Sequence, residues 1–99
     1  MIIVIGSIEA TPEGRAEILR LSLEHVQRSR AEPGCIDHRV SVDCENERRF
    51  VFVEYWADMD ALKTHFAVSA SGDFVRKASA LAASEPEIKI FEADEARPG

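Results

Sequence analysis

Few side chains in this sequence can do chemistry, and three of them are histidines: His25, His38 and His65. An imidazole titrates near neutral pH, so each is a candidate to take or give a proton. His65 stands in the richest surroundings: Glu54-Tyr55-Trp56-Ala57-Asp58 precedes it, then Ala61-Leu62. Along a strand, Phe52, Glu54 and Trp56 fall on one face, so an aromatic ring, a carboxylate and an indole stand in line beneath any helix that carries His65. Trp56 offers a plane on which an aromatic substrate could stack, or plain apolar packing. Glu54 offers a proton acceptor, a salt bridge or a structural hydrogen bond. His38 is a further ionisable group, whereas His25 lies off the apolar stripe of its own segment and is expected at the surface. The spacing of the three histidines matches no metal-ligand pattern, and no metal site is expected from them. Arg39 and Arg49 receive no catalytic role. Cys35 and Cys44 form no C-x-x-C pair, and if they flank one strand they stand roughly 30 Å apart, beyond disulfide reach. Two free thiols point to the cytoplasm.

These groups need elements to hold them. Residues 1 to 9 carry Ile2, Ile3, Val4, Ile5 and Ile8, β-branched and too short for a helix, which predicts a strand. Thr11-Pro12-Glu13 predicts a helix start, with Thr11 as cap and Pro12 in the first turn. Ala16, Leu19, Leu23 and Val26 make the expected inner stripe, broadened by Ile18 and Leu21. Glu32-Pro33-Gly34 stops the helix. Cys35 to Asp43 alternates as a half-buried strand, and Arg48 to Trp56 is a third strand, apolar on both faces, paired with it as a hairpin. Asp58 caps a helix bearing Met59, Leu62 and Phe66, with His65 beside them. Residues 68 to 72 break it, a further helix carries Phe74, Ala78 and Leu81, and Glu87 to Glu92 is the last strand. The order β-α-β-β-α-β predicts an α+β ferredoxin-like fold, an antiparallel sheet with its helices on one face. Val51, Val53 and Tyr55 then point to the bare face, which a second copy of the chain is expected to cover.

The 99 residues suit one domain, taken as residues 1 to 94 with 95 to 99 as a frayed tail. Eighteen acidic residues against 12 basic ones give a net charge of -6, which repels phosphate backbones and anionic membranes. Neither nucleic acid nor a membrane is therefore an expected partner. The Met1 to Ile5 run is shorter than a signal-peptide core and has no basic residue before it, so no export or anchoring is expected.

Glu32-Pro33-Gly34-Cys35, then Glu54-x-Trp56-x-Asp58, then Ala61-Leu62-x-x-His65 resembles the antibiotic biosynthesis monooxygenase domain family of small quinol-monooxygenase-like proteins. The resemblance covers about residues 1 to 94. It implies a homodimeric α+β barrel with a cavity between sheet and helices in each copy. It also implies oxygenation of a small aromatic, a phenol or quinol, by dioxygen with no metal, flavin or haem cofactor. Such chemistry needs a substrate anion electron-rich enough to pass an electron to dioxygen. His65 then becomes the catalytic group that accepts the phenolic proton or bonds the oxyanion, with Trp56, Glu54, His38 and Phe52 as substrate-binding residues. Two departures stand out. His38 replaces a common tyrosine, and Ala70 occupies a position where many relatives carry a second histidine, so a two-histidine mechanism has no support. Haem-degrading relatives use an asparagine on the first strand, whereas the asparagine here is Asn46 in the hairpin turn.

Other readings remain open on the same residues: an isomerase of the same fold, or a dimer that binds a small ligand without catalysis. RNA-recognition motifs share the element order, and Arg48 to Tyr55 matches six of eight positions of their third-strand signature. Arg49 and Val51 break that signature, the first strand has no aromatic to stack a base, and the negative charge opposes binding.

Overall fold

The structure is a computed structural model that describes residues 1–99. Its elements are β1 (Ile2–Glu9), α1 (Arg15–Ser29), β2 (Cys35–Asp43), β3 (Asn46–Trp56), α2 (Met59–Ala67), α3 (Ser69–Ala80) and β4 (Glu87–Glu92). The four strands form one antiparallel sheet in the order β2-β3-β1-β4. This is the expected α+β ferredoxin-like arrangement, with α2 and α3 together filling the place of its second helix.

Strand alternation decides what the helices cover. Ile2, Val4 and Ile8 of β1 and Phe50, Phe52, Glu54 and Trp56 of β3 are all buried on the helix side. The apolar ones fall into two clusters: Ile8, Phe50 and Phe52 pack with Ile18, Leu21, Val26, Phe74 and Ala78, while Ile2, Val4 and Trp56 pack with Leu62. Glu54, between Phe52 and Trp56 on the same face, marks the seam between them. On the opposite face cross-strand register sets Phe91, Ile3 and Tyr55 in one row and Lys89, Ile5 and Val53 in the next. Ile5 and Phe91 are exposed there and Ile3, Val51, Val53 and Tyr55 are half-buried.

Four local details differ from the periodicity reading. The first helix begins at Arg15, not at Pro12; Thr11 instead caps the preceding turn, its Oγ1 accepting from Gly14 N at 3.0 Å and donating to Leu81 O. Its buried face is Ile18, Leu21, Ser22, His25, Val26 and Ser29, so Ala16 and Leu23 are exposed. Apolar spacing alone misplaced that face because its centre line is polar. Between α2 and α3 the break is a single extended residue, Val68 (φ -65°, ψ 125°), rather than residues 68 to 72, and Phe66 is exposed rather than inward.

The connection from α1 to β2 sets how closely α2 can approach. Gly34 has φ +81°, the left-handed region that favours glycine, and a Cβ there would meet the Ala61 Cβ at 2.5 Å. Asp58 caps α2 as expected, accepting from Ala61 N at 2.8 Å.

Candidate active site

A cavity of about 370 Å³ opens on the helix side of the sheet, of a size that suits a small organic molecule. His25, His38, Phe52, Glu54, His65 and Phe74 are among its walls. All three histidines of the chain thus converge, from α1, β2 and α2, and all are buried. His25 is therefore not a surface residue: its ring stacks on Phe74 with centroids 4.1 Å apart and lies 5.1 Å from the ring of His38 and 5.3 Å from that of His65. The line Ile18, Ser22, His25, Ser29 has helical spacing, but a search for apolar residues passes over it.

Bonding partners assign the ring protons. His65 Nδ1 lies 2.9 Å from Glu32 Oε1, and an ionised carboxylate only accepts, so Nδ1 carries a proton and in the neutral ring the lone pair is on Nε2. That second nitrogen is 3.8 Å from Glu54 Oε1. His25 has the opposite neighbour. Arg28 Nη2 stands 2.7 Å from His25 Nδ1, and a guanidinium only donates, so in the neutral ring the proton sits on Nε2. His38 is fully buried with no hydrogen-bond partner at either nitrogen; its closest carboxylate oxygen, Glu54 Oε2, is 3.5 Å from Nε2.

Burial dominates the electrostatics. It pushes His25 down to about 3, helped by His38, His65 and Arg28, and it pushes His38 down to about 3, helped by His65 and Arg30. Both rings are neutral at pH 7. Burial also raises Glu54 above the usual carboxylate range, opposed by the bond it accepts from Trp56 Nε1 at 2.9 Å.

Among the residues singled out in the sequence, His65, Glu54, His38 and Phe52 border the cavity. Trp56 does not. It is wholly buried behind the wall, packed with Ile2, Val4 and Leu62, its ring centroid 4.6 Å from that of His65. An indole enclosed in this way has no free face for a substrate, and it meets the site from behind, through the bond to Glu54 and the ring contact with His65. Glu32, His25 and Arg28 were not singled out as site residues. Glu32 carried a signal nonetheless, as the first residue of the Glu-Pro-Gly-Cys string, whereas nothing in the spacing of Arg28 sets it apart. Ala70 leaves no imidazole on α3, and the additional rings come from α1 and β2 instead. The expectation that the histidines could not assemble a metal site also needs revision, since one ring nitrogen from each lies within 4.8 Å of those of the other two.

The bonding can support proton transfer. His65 Nε2 is a base held in one orientation by Glu32, beside a cavity whose walls mix aromatic and polar side chains. The His25 Nε2 proton supplies a donor in the same cluster. No helix is long and apolar enough to cross a membrane.

Comparison with known proteins bears on the fold and the family. A Deinococcus radiodurans crystal structure, provisionally described as an antibiotic biosynthesis monooxygenase, superposes with a TM-score of 0.93 at 28% identity, covering 99% of this chain and 97% of that one. A Bacillus subtilis protein, YcnE, provisionally named a monooxygenase, is 32% identical over 95 residues, 96% of this chain and 100% of its own length. An uncharacterised Synechocystis protein is 37% identical over 90 residues, 91% of this chain, which spans only 61% of that relative. The family model for antibiotic biosynthesis monooxygenases matches residues 1–77, and the chain belongs to that family.

Proposed function

We propose that this protein is a cofactor-independent monooxygenase acting on a small electron-rich aromatic, a quinol or polyphenol. The observation that carries this reading is the Glu32–His65 pair, which places the proton of a neutral ring on Nδ1 and so leaves Nε2 as the base of a residue that lines a cavity of the right size. In the proposed reaction His65 Nε2 takes a phenolic proton, and Glu32 stabilises the imidazolium that results. The His25 Nε2 proton is a donor for the phenolate oxygen, and Phe52 and Phe74 bound the ring. The phenolate gives one electron to dioxygen and the two radicals recombine at a ring carbon. Loss of water from the peroxide leaves one oxygen atom on the ring. A hydroquinone plus dioxygen becomes a hydroxyquinone plus water, so the substrate itself supplies every electron and no outside reductant enters.

The same reading includes a homodimer that covers the apolar rows of the open sheet face, and a cytoplasmic location, which the free thiols of Cys35 and Cys44 support.

The test is oxygen consumption with a panel of hydroquinones and polyphenols, with product mass measured in ¹⁸O₂. One labelled oxygen in the product is expected, and His65→Ala should slow turnover by roughly 10²-fold or more. Unlabelled product, or full activity in His65→Ala, would refute the reading.

A further inference from the structure

We propose that His25, His38 and His65 form a binding site for one transition-metal cation of the borderline class to which Zn²⁺, Co²⁺ and Cu²⁺ belong. Three imidazoles brought together from three elements are a donor set suited to such ions, and three-histidine sites with one open position are a recurring form. Because the three nitrogens all lie within 4.8 Å of one another, a point exists no more than about 2.8 Å from each. Metal–nitrogen bonds of about 2.0–2.1 Å would then need each ring to move inward by only about 0.7 Å.

Two observations besides the clustering point to a ligand. His38, fully buried, has no partner at either nitrogen, and an unsatisfied buried polar group costs about 1–3 kcal/mol, so a metal bond would relieve it. His65 already has the outer contact typical of a metal-bound imidazole, its Nδ1–H on the Glu32 carboxylate with the other nitrogen free. Glu54, with oxygens 3.5 Å from His38 Nε2 and 3.8 Å from His65 Nε2, adds a carboxylate at the rim.

Arg28 works against the site. Its guanidinium occupies His25 Nδ1 and fixes the proton on Nε2, so binding through either nitrogen requires Arg28 to turn away. The residue is only partly buried, and its Nε is buried without a partner, so the guanidinium is held in this place by the contact with His25 alone among its side-chain bonds. The cation would take the lone pair that the proposed oxygenation uses at His65, so a loaded site would be an arrested one. That consequence rests on the proposed function; the metal binding does not.

The experiment uses tag-free, chelator-dialysed protein titrated with Co²⁺ and Zn²⁺. The chain has three histidines in all, so a nitrogen-ligated spectrum reports this cluster alone. One Co²⁺ per chain is expected, with d–d absorption of a low-coordinate site, no thiolate charge-transfer band, and displacement by Zn²⁺. His38→Gln should weaken binding by about 100-fold or more, and Arg28→Gln should tighten it by about tenfold, its amide oxygen being able to accept from His25 Nδ1–H. If His38→Gln does not fold, Cu²⁺ electron paramagnetic resonance on the unaltered protein counts the bound nitrogens, and three are expected. No binding at tens of micromolar metal, a thiolate band, or fewer than three nitrogens would overturn the proposal. If oxygenation fails with every quinol while Co²⁺ still binds one per chain, the proposed function falls and the metal site stands.

Discussion

Replacing Glu32 by glutamine tests the link on which the proposed chemistry depends. The carboxylate accepts from His65 Nδ1 at 2.9 Å and is mostly buried, so the bond is charge-assisted and worth about 1.5–3 kcal/mol once the ring is protonated. Glutamine can answer in two ways. If its carbonyl faces His65, the ring keeps its tautomer and loses roughly half of that stabilisation, which slows proton uptake by roughly 4- to 13-fold. If its amide group faces His65, Nδ1 must accept, the proton moves to Nε2 and the base is no longer free. The rate should then fall by roughly 10²- to 10⁴-fold. The assay is turnover of an accepted quinol, paired with ¹⁵N correlation spectra that report the protonated nitrogen of each histidine in both proteins. The unaltered protein should show His65 protonated at Nδ1 in its neutral form, and the variant should lose at least about fourfold in kcat with the fold intact. A wild-type His65 protonated at Nε2, or a folded variant within twofold of wild-type turnover, would refute the reasoning.

Acid should weaken the fold through His38. Its folded value is pushed down to about 3 from the ordinary 6.5, so the unfolded chain takes up the proton first, and the stability present above pH 6.5 is lost as the pH falls. Urea titrations should show a slope of about 1.4 kcal/mol per pH unit below that point from this ring, which His38→Gln lacks; His25, pushed down to about 3 as well, and Glu54, whose raised value acts in the opposite sense, are common to both proteins. Trp56→Phe should cost about 1–3 kcal/mol in the same titration, because Glu54 Oε1 loses its buried donor, and it should leave KM nearly unchanged; a loss confined to KM would restore the stacking role. Sedimentation at micromolar concentration should give about twice 11.0 kDa, and Val53→Lys should shift it toward the monomer. A wild-type monomer would contradict the covered sheet face.

Strands were legible because their physics is local. Alternation in residues 35 to 43 and 48 to 56, with β-branched and aromatic side chains, left few options for the two paired strands, although β3 begins at Asn46 and irregular pairing at Cys35/Asp37 and Val42/Asp43 leaves Ile36 and Val42 exposed. Helix faces were less so. Ser22, His25 and Ser29 lie on the inner side of α1, where His25 borders the cavity and Ser29 turns its hydroxyl back onto the His25 carbonyl, and a hydrophobic pattern cannot register such a face. For the same reason His25 read as a surface residue. His65 was legible through its motif context, and Glu54 through the strand face it shares with Phe52. Trp56 shared that face too, yet alternation says only which side a residue takes, not whether helix or cavity lies above it. Arg28 was invisible because its importance comes from a tautomer, which depends on a partner three residues away and not on composition.

The contact between Gly34 and Ala61 gives those two small residues a part in the chemistry that neither could play by itself. Glu32 and His65 are 33 residues apart in sequence, and each reaches the other across the place where the α1–β2 connection touches α2. The separation of those two segments is set by missing atoms, since no side chain stands between Gly34 and the Ala61 methyl. A methyl at position 34, or a longer chain at 61, would act as a wedge at the joint and lengthen the carboxylate–imidazole bond without touching any polar group. Misplacement of a catalytic group by about 1 Å can cost roughly 10²-fold in rate. The alignment tolerance of the proposed proton-transfer pair is thus fixed by two of the least reactive residues in the protein.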